Sequence, residues 1–357
     1  MKMKTTILTG ALLASLYSPI LLSAPGESLV LDPVSGDYTI TYADNMGNLQ
    51  QAKFVPRTKI EPIVSVTLKQ NDNGIITYRY NIANGGSAKQ SIRLAGIYSI
   101  SSLYSSQPLP PYSAGTTLVD ALVVSKMWNA AIVAPARWKG DAAPDPDHVS
   151  MVRAGWSYAT EEYPNEKIRI GVTPGEKQAG FGFASRDLPA IGKFKLWGYK
   201  PVGEGYVDDG PDPDSEVGKQ LAILEKNNFV LRNSAVPTIA VPAPFDAAVL
   251  LDRIRTHVAT WPAKELLDPA FAAQLDRYLV AAADAYRLNN AKAGKEHIKK
   301  IRELLEHEHK YLDHDDEDND DIEERRVVTR FSIDRLAARV LDFDLRYVLK
   351  RSSKEQD

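Results

Sequence analysis

The chain has 357 residues, with 43 Lys and Arg against 46 Asp and Glu and no cysteine. The absence of cysteine excludes disulfides, thiol nucleophiles, zinc–thiolate sites and iron–sulfur clusters. A net charge of −3 without a basic run argues against a nucleic-acid partner. A chain of this length is long enough for two domains, each with an ordinary hydrophobic core.

The first 24 residues predict a signal peptide. Lys2 and Lys4 precede an uncharged apolar run from Thr6 to Leu22, which Pro19 interrupts. A charged start, a short apolar core and small residues at its end are typical of export signals. The run is shorter than the roughly 20 apolar residues that span a bilayer. We therefore expect cleavage within 23–25 and a periplasmic or secreted mature chain without a membrane span.

Residues 25–235 predict an all-β sandwich. Short runs rich in Ile, Val, Thr and Tyr alternate with period two and are separated by Gly, Asn and Pro. The expected strands are 37–42, 60–69, 75–82, 91–94, 117–124, 149–158, 167–172, 180–183 and 194–199, with one helix over 215–227.

Two stretches of this region resemble immunoglobulin-like β-sandwich modules of exported bacterial proteins. The first, Ile60–Ile92, has a strand, an Asn-Gly turn and a Tyr-X-Tyr-X-Ile-X-Asn strand. The second, Ile168–Pro189, has a Pro-Gly turn before a Gly-Phe strand. The resemblance implies a fold and no particular function, because sandwiches carry many unrelated activities.

A Pro-rich linker is expected at 236–244, and the hydrophobic period changes to 3.6 after it. Asp246 is placed to cap a first helix, and Asp268-Pro269 to begin a second. We expect a small helical bundle over 245–351 and a tail at 352–357, so that the fold class is an immunoglobulin-like all-β sandwich followed by an all-α bundle. The expected apolar stripes are Leu250, Ile254 and Val258; Phe271, Leu275, Leu279, Ala282 and Tyr286; Ile298, Ile301, Leu305 and Leu312; and Leu336, Val340, Phe343 and Tyr347.

The helical region resembles FIMAH-type modules at the C-termini of exported bacterial proteins. The residues that carry the resemblance are Leu250-Leu-Asp-Arg-Ile254, Leu275-Asp-Arg-Tyr-Leu279 and Asn290-Ala-Lys-Ala-Gly294. A long acidic insertion departs from that pattern. The resemblance implies an accessory or interaction role without catalysis.

Two aromatic pairs are candidate ligand-binding residues. Trp156 with Tyr158, and Trp197 with Tyr199, are each two residues apart and therefore share a strand face. Exposed rings of this kind stack on sugars or peptides, whereas buried ones form core. The spacing leaves both alternatives open for each pair.

The acidic run at 313–324 is a candidate metal site. Six of its residues hold positions 1, 3, 5, 7, 9 and 12 of a calcium-binding loop between two helices. Asp318 replaces the usual glycine and Asp320 the usual aliphatic residue, so a self-repelling acidic loop is the alternative. Calcium is thus a candidate cofactor, with these ligands: Asp313, Asp315, Glu317, Asn319, Asp321 and Glu324.

Catalytic signatures are weak. The chain has no Gly-X-Ser-X-Gly and no His-Glu-X-X-His motif. We expect an exported, non-enzymatic binding or interaction protein with a protein or glycan partner. Two alternatives remain: a hydrolase with a site near Asp145, His148 and Glu161, and a divalent-cation-binding protein that uses the acidic loop.

Overall fold

A computed structural model describes residues 26–105, 128–144, 151–159, 170–200, 206, 210–308 and 332–354. Within these residues the chain forms three antiparallel sheets and five α-helices. The strands are β1 (Ser28–Leu31), β2 (Tyr38–Ala43), β3 (Leu49–Phe54), β4 (Pro62–Gln70), β5 (Ile76–Asn84), β6 (Ile92–Ile100), β7 (Ile132–Val133), β8 (Trp138–Pro144), β9 (Val152–Tyr158), β10 (Lys177–Ser185), β11 (Leu188–Gly198) and β12 (Val230–Ile239). The helices are α1 (Glu216–Lys226), α2 (Ala247–Val258), α3 (Pro269–Arg287), α4 (Ala291–Glu308) and α5 (Arg335–Lys354), with a 3₁₀ turn at Pro262–Lys264.

The chain divides into two compact units, and each is discontinuous in sequence. The smaller unit comprises residues 1–56 and 200–228 and holds the sheet β1-β2-β3 together with α1. Ser215 caps α1, because its Oγ accepts a hydrogen bond from the Gly218 amide at 3.0 Å. Its core is a separate hydrophobic cluster of Ile40, Tyr42, Phe54, Val217 and Leu221.

The larger unit comprises residues 57–199 and 229–357. Its two sheets, ordered β4-β5-β10-β7 and β12-β11-β6-β9-β8, pack face to face. The Tyr80 ring of the first sheet lies 5.4 Å from Phe194 and 6.1 Å from Trp156 of the second. The Tyr80 hydroxyl donates to the Ala235 carbonyl at 2.9 Å. Burial of these rings between the sheets stabilises the unit, and the hydroxyl keeps a partner there.

The helices α2 to α5 cover one end of these two sheets. Helix α5 contacts β11 and β12, the Tyr347 hydroxyl reaches the Gly74 carbonyl at 3.5 Å, and Lys350 pairs with Asp72 at 3.2 Å. The apolar stripes of all four helices join the cluster that also contains the sheet residues. The expected immunoglobulin-like sandwich followed by an all-α bundle is therefore wrong, and the chain is mixed α/β. Helical periodicity predicts that each helix buries one face but leaves open what covers it.

Both predicted helix caps are confirmed. Asp246 accepts from the Val249 amide at 3.0 Å, and Asp268 accepts from the Ala270 amide at 2.8 Å. The expected linker differs, since its first four residues belong to β12, where Val236 is buried. A proline in that strand lowered its apparent strand propensity, although the edge position of β12 tolerates proline.

Several predicted segments lie outside the described residues, among them the signal peptide at 1–24 and the strand at 117–124. In the part of the chain that the structure describes, no helix is both long enough and apolar enough to cross a membrane.

Candidate functional site

The first aromatic pair lies inside the core. Trp156 is 1 % exposed and Tyr158 is 7 % exposed on the inner face of β9. The Trp156 ring is stacked on Phe194 at 5.9 Å with an interplanar angle of 5°, and its Nε1 donates to the Val133 carbonyl at 2.9 Å. Because neither ring reaches the surface, these two residues act as core.

The second pair lies on the opposite, outer face of the same sheet. On β11, the side chains of Phe194 and Leu196 are fully buried. Because side chains alternate between the two faces of a strand, Trp197 points outward. Trp197 and Tyr199 are both partly exposed. Trp197 stands opposite Leu94 of β6, which stands opposite Ser157 of β9. Of the two aromatic pairs that were predicted as a binding platform, this pair is therefore the exposed one.

Two glycines form a depression in the middle of that face, which we call the glycine basin. In one row across four strands, Lys195, Gly96, Gly155 and Asp141 are direct neighbours. A Cβ atom added at Gly96 would lie 3.4 Å from the Tyr98 ring and 3.7 Å from the Trp197 ring, and Gly96 itself is buried. The two aromatic rings therefore pack against the floor of the glycine basin and line it.

One end of the glycine basin carries a charged pair. Asp141 lies across Gly155, because a Cβ atom added there would come within 2.6 Å of the Asp141 carboxylate. The Arg153 guanidinium lies 3.9 Å from the same carboxylate, and both side chains are nearly half exposed. Asp141 accepts hydrogen bonds and Arg153 donates them, so this end can bind hydroxyl groups.

Cations rest on the aromatic rings at the other end of the face. The Lys195 ammonium lies 4.0 Å from the centre of the Tyr98 ring and 5.0 Å from that of Phe229. The Arg93 guanidinium lies 5.7 Å from the centre of the Tyr199 ring. Such contacts hold the charged groups over the sheet instead of leaving them mobile.

The glycine basin has a volume of about 190 Å³. A cavity of about 150 Å³ is enough for a benzene-sized molecule, so the basin accepts one six-membered ring. Two larger clefts, of about 530 and 610 Å³, lie along α4 and between β4 and α5. Their walls consist largely of long Lys, Arg, Gln and Asn side chains, which define a bound position less well than fixed rings.

A buried polar cluster lies where the helices meet the sheets. The Asp187 carboxylate accepts from the hydroxyls of Ser101 and Ser102, both at 2.6 Å, and its carbonyl accepts from the Tyr78 hydroxyl at 2.9 Å. Asp344 of α5 is 2 % exposed, and its Oδ1 has no hydrogen-bond partner among the described residues. Burial raises the pKa of Asp344 well above its ordinary value.

His257 of α2 belongs to the same junction. Its Nε2 accepts from the Ile191 amide at 3.3 Å, which requires the neutral ring. Burial and the nearby Lys264 lower the pKa of His257 to about 4. Asp187 and His257 both bind groups of neighbouring elements at this junction, so we assign these groups to the packing of helices on sheets.

The other predicted sites fall outside the described residues. This applies to Asp145, His148 and Glu161 of the alternative hydrolase site and to the whole acidic loop at 313–324, so both stay predictions. Among the residues that are described, no group of three or more metal-binding side chains comes together.

Five residues of this surface were not predicted as site residues: Gly96, Gly155, Tyr98, Lys195 and Arg153. One signal for them was present, because residues 193, 195 and 197 of β11 are Lys, Lys and Trp and share one face. The register that brings the two glycines side by side depends on pairing between distant strands, which no local pattern reveals.

No protein-family model, curated protein or solved structure matches this chain. The resemblances to FIMAH-type and immunoglobulin-like modules therefore stay untested.

Proposed function

We propose that this chain is a non-enzymatic glycan-binding protein and that its binding surface is the outer face of the five-stranded sheet. One observation carries the proposal: the rings of Trp197 and Tyr98 line a depression of about 190 Å³ together with Asp141 and Arg153. A sugar ring has an apolar face that packs on aromatic rings and a hydroxyl-bearing edge that needs polar partners. The glycine basin supplies the first, and Asp141 with Arg153 supplies the second.

A glycan fits this surface better than a globular protein does. A stable protein–protein interface buries about 800 Å² on each partner around a set of apolar anchors. Here the glycine basin has a volume of about 190 Å³, holds one ring and has charged groups at both ends. Recognition of one ring at a time along a chain-like ligand suits those dimensions.

The remaining parts of the proposal rest on the sequence. Residues 1–24 support export, so the glycan would be met in the periplasm or outside the cell. The helices α2 to α5 would serve the sheets by covering one end of their core. N-terminal sequencing of protein recovered from the envelope or medium tests export, and a mature chain that begins with Met1 would contradict it.

Binding to a panel of neutral and acidic polysaccharides, measured by affinity electrophoresis, tests the proposed surface. We expect Trp197→Ala to weaken binding at least about tenfold, which corresponds to about 1.4 kcal/mol. Gly96→Val should do the same, since its side chain fills the glycine basin while valine suits a strand.

The matched control is Ile63→Ala on β4 of the other sheet, where Ile63 is 65 % exposed. That variant should bind as the unchanged protein does. Retention of full binding by both Trp197→Ala and Gly96→Val, with unchanged melting temperatures, would show that the ligand lies elsewhere. Binding of extended peptides but of no glycan would replace the glycan by a protein partner.

A further inference from the structure

The outer face of the five-stranded sheet is strongly basic, although the whole chain has a net charge of −3. Along the described residues of β6, β8, β9 and β11, the side chains that share this face include one acid, Asp141. The bases on the same face are Lys139, Arg153, Lys193 and Lys195. A surface of this composition attracts anions and repels other cations.

Two of these bases are held in place by neighbours on the face. Lys195 lies against the rings of Tyr98 and Phe229, and Lys193 donates to the Asn233 side chain at 2.7 Å. Ordering of a charged side chain before binding lowers the entropy that binding must remove. The cations are therefore arranged for contact with a ligand that runs across the strands.

The bases lie on both sides of the glycine basin. Lys195 stands next to Gly96 on β11, whereas Lys139 is on β8, three strand spacings from β11. With strands about 4.8 Å apart, the charged region is about 14 Å wide. A ligand whose ring occupies the glycine basin thus meets cations before and after that ring, as a charged polymer would.

We propose that the ligand of this face is an acidic polysaccharide, whose carboxylate or sulfate groups bind Lys195, Arg153 and the surrounding bases while one sugar ring occupies the glycine basin. This inference rests on the proposed glycan-binding function and adds the charge of the ligand. Asp141 lies over Gly155 beside Arg153, where its carboxylate can accept from the hydroxyls of a sugar ring in the glycine basin.

The test uses the full chain and three soluble probes: dextran, dextran sulfate and polygalacturonate. Dextran and dextran sulfate share one backbone and differ in charge, and polygalacturonate carries carboxylates instead of sulfates. We expect both acidic polymers to bind and dextran to bind at least about tenfold more weakly. The affinity should fall linearly with salt on logarithmic axes, because binding to a polyanion releases its counterions.

The charge variants are Lys195→Gln and Arg153→Gln, with Arg79→Gln as the control. Arg79 is exposed on β5 of the other sheet, so the control removes the same charge from a different face. Each face variant should weaken binding several-fold and make the salt dependence shallower by about one unit. The control should alter neither, and all three should keep the melting temperature.

The outcomes separate the two proposals. Equal binding of dextran and dextran sulfate, with loss in Trp197→Ala, would overturn the acidic ligand and keep the glycan-binding face. Absence of binding to every polysaccharide would overturn both. Tighter binding of single-stranded oligothymidylate than of either acidic polymer, weakened by the same variants, would overturn the acidic polysaccharide in favour of nucleic acid. Equal weakening by Arg79→Gln would show general charge attraction and would overturn the assignment to this face.

Discussion

The inner and outer faces of the five-stranded sheet carry two aromatic pairs with the same spacing and opposite roles. Trp156 and Tyr158 are buried among core rings, whereas Trp197 and Tyr199 are partly exposed beside cations and the glycine basin. The spacing of two residues places each pair on one face but does not tell which face is covered. The neighbours decide this, because Trp197 shares its face with lysines and Trp156 shares its face with Val152 and Ala154, both buried.

The largest expected effect is the difference between the two tryptophans on removal. Trp156→Ala should destabilise the protein by about 3–5 kcal/mol, because it empties a closely packed aromatic site and leaves the Val133 carbonyl unpaired. Trp197→Ala should cost less, about 1–2 kcal/mol, because part of its ring is in solvent. Urea unfolding of both variants measures this. Equal losses would mean that Trp197 is core and that the outer face is not a binding surface.

The next effect concerns Asp344 of α5, a carboxyl group that is buried where the helices meet the sheets. Its pKa is raised by burial, so its contribution to stability is full below the ordinary value of 3.8 and declines as pH rises through the folded-state pKa. The decline between the two values is about 1.4 kcal/mol per pH unit. Asp344→Asn should remove this decline and be more stable at pH 7.

Thermal unfolding of Asp344→Asn from pH 4 to pH 8 measures the difference. The advantage of the variant over the unchanged protein should grow with pH. The control is Asp342→Asn, whose residue is a partly exposed neighbour on α5 and pairs with Arg302 at 2.6 Å; its loss of an ion pair should be destabilising at pH 7. A pH-independent difference between Asp344→Asn and the unchanged protein would show that the pKa of Asp344 is the same in the folded and unfolded states.

His257 should give the opposite pH dependence. Its pKa is lowered to about 4 from the ordinary 6.5, so its contribution is full above pH 6.5 and is lost as pH falls towards 4. The total is about 3 kcal/mol. Because Asp344 acts in the reverse sense over the same range, the two slopes oppose each other in the unchanged protein.

The variant His257→Gln separates them, since a glutamine oxygen can still accept from the Ile191 amide. As pH falls below 6.5, the free energy of unfolding of this variant, relative to the unchanged protein, should rise. The rise should equal the stability that His257 no longer contributes to the unchanged protein. Nuclear magnetic resonance titration of the His257 ring in the folded protein gives a direct check, and an ordinary pKa near 6.5 would contradict the buried, neutral ring.

The smallest effect compares two strand glycines. A Cβ atom at Gly182 of β10 would lie 2.3 Å from the Tyr78 carbonyl, which is backbone and cannot move aside, so Gly182→Ala should cost about 1–3 kcal/mol. A Cβ atom at Gly96 meets no atom closer than 3.4 Å, so Gly96→Ala should change stability by less than about 0.5 kcal/mol. Melting temperatures of the two variants decide whether the glycine basin is open, and equal destabilisation would mean that it is filled.

Much of the local structure follows from the sequence alone. Asp246 and Asp268 cap helices because a side-chain oxygen can satisfy the free amides of the first turn. The buried positions Leu275, Leu279 and Ile298 follow from the period of 3.6. The alternation of polar and apolar residues around Trp156 and Trp197 also indicates which ring faces the core, when the polar residues of each strand are considered together with the aromatic ones.

Only the tertiary structure decides which residues are neighbours across strands and which elements pack together. The glycine basin joins residues 96 and 155, and the basic face gathers charges from residue 139 to residue 195, because antiparallel pairing sets neighbours across strands independently of their separation in sequence. The helices pack on one another and also on the end of the sheets, so that they share one core with them, since any sufficiently apolar surface can bury an amphipathic stripe. Periodicity and capping act over a few residues and were therefore predictable, whereas register and packing depend on the whole chain and were not.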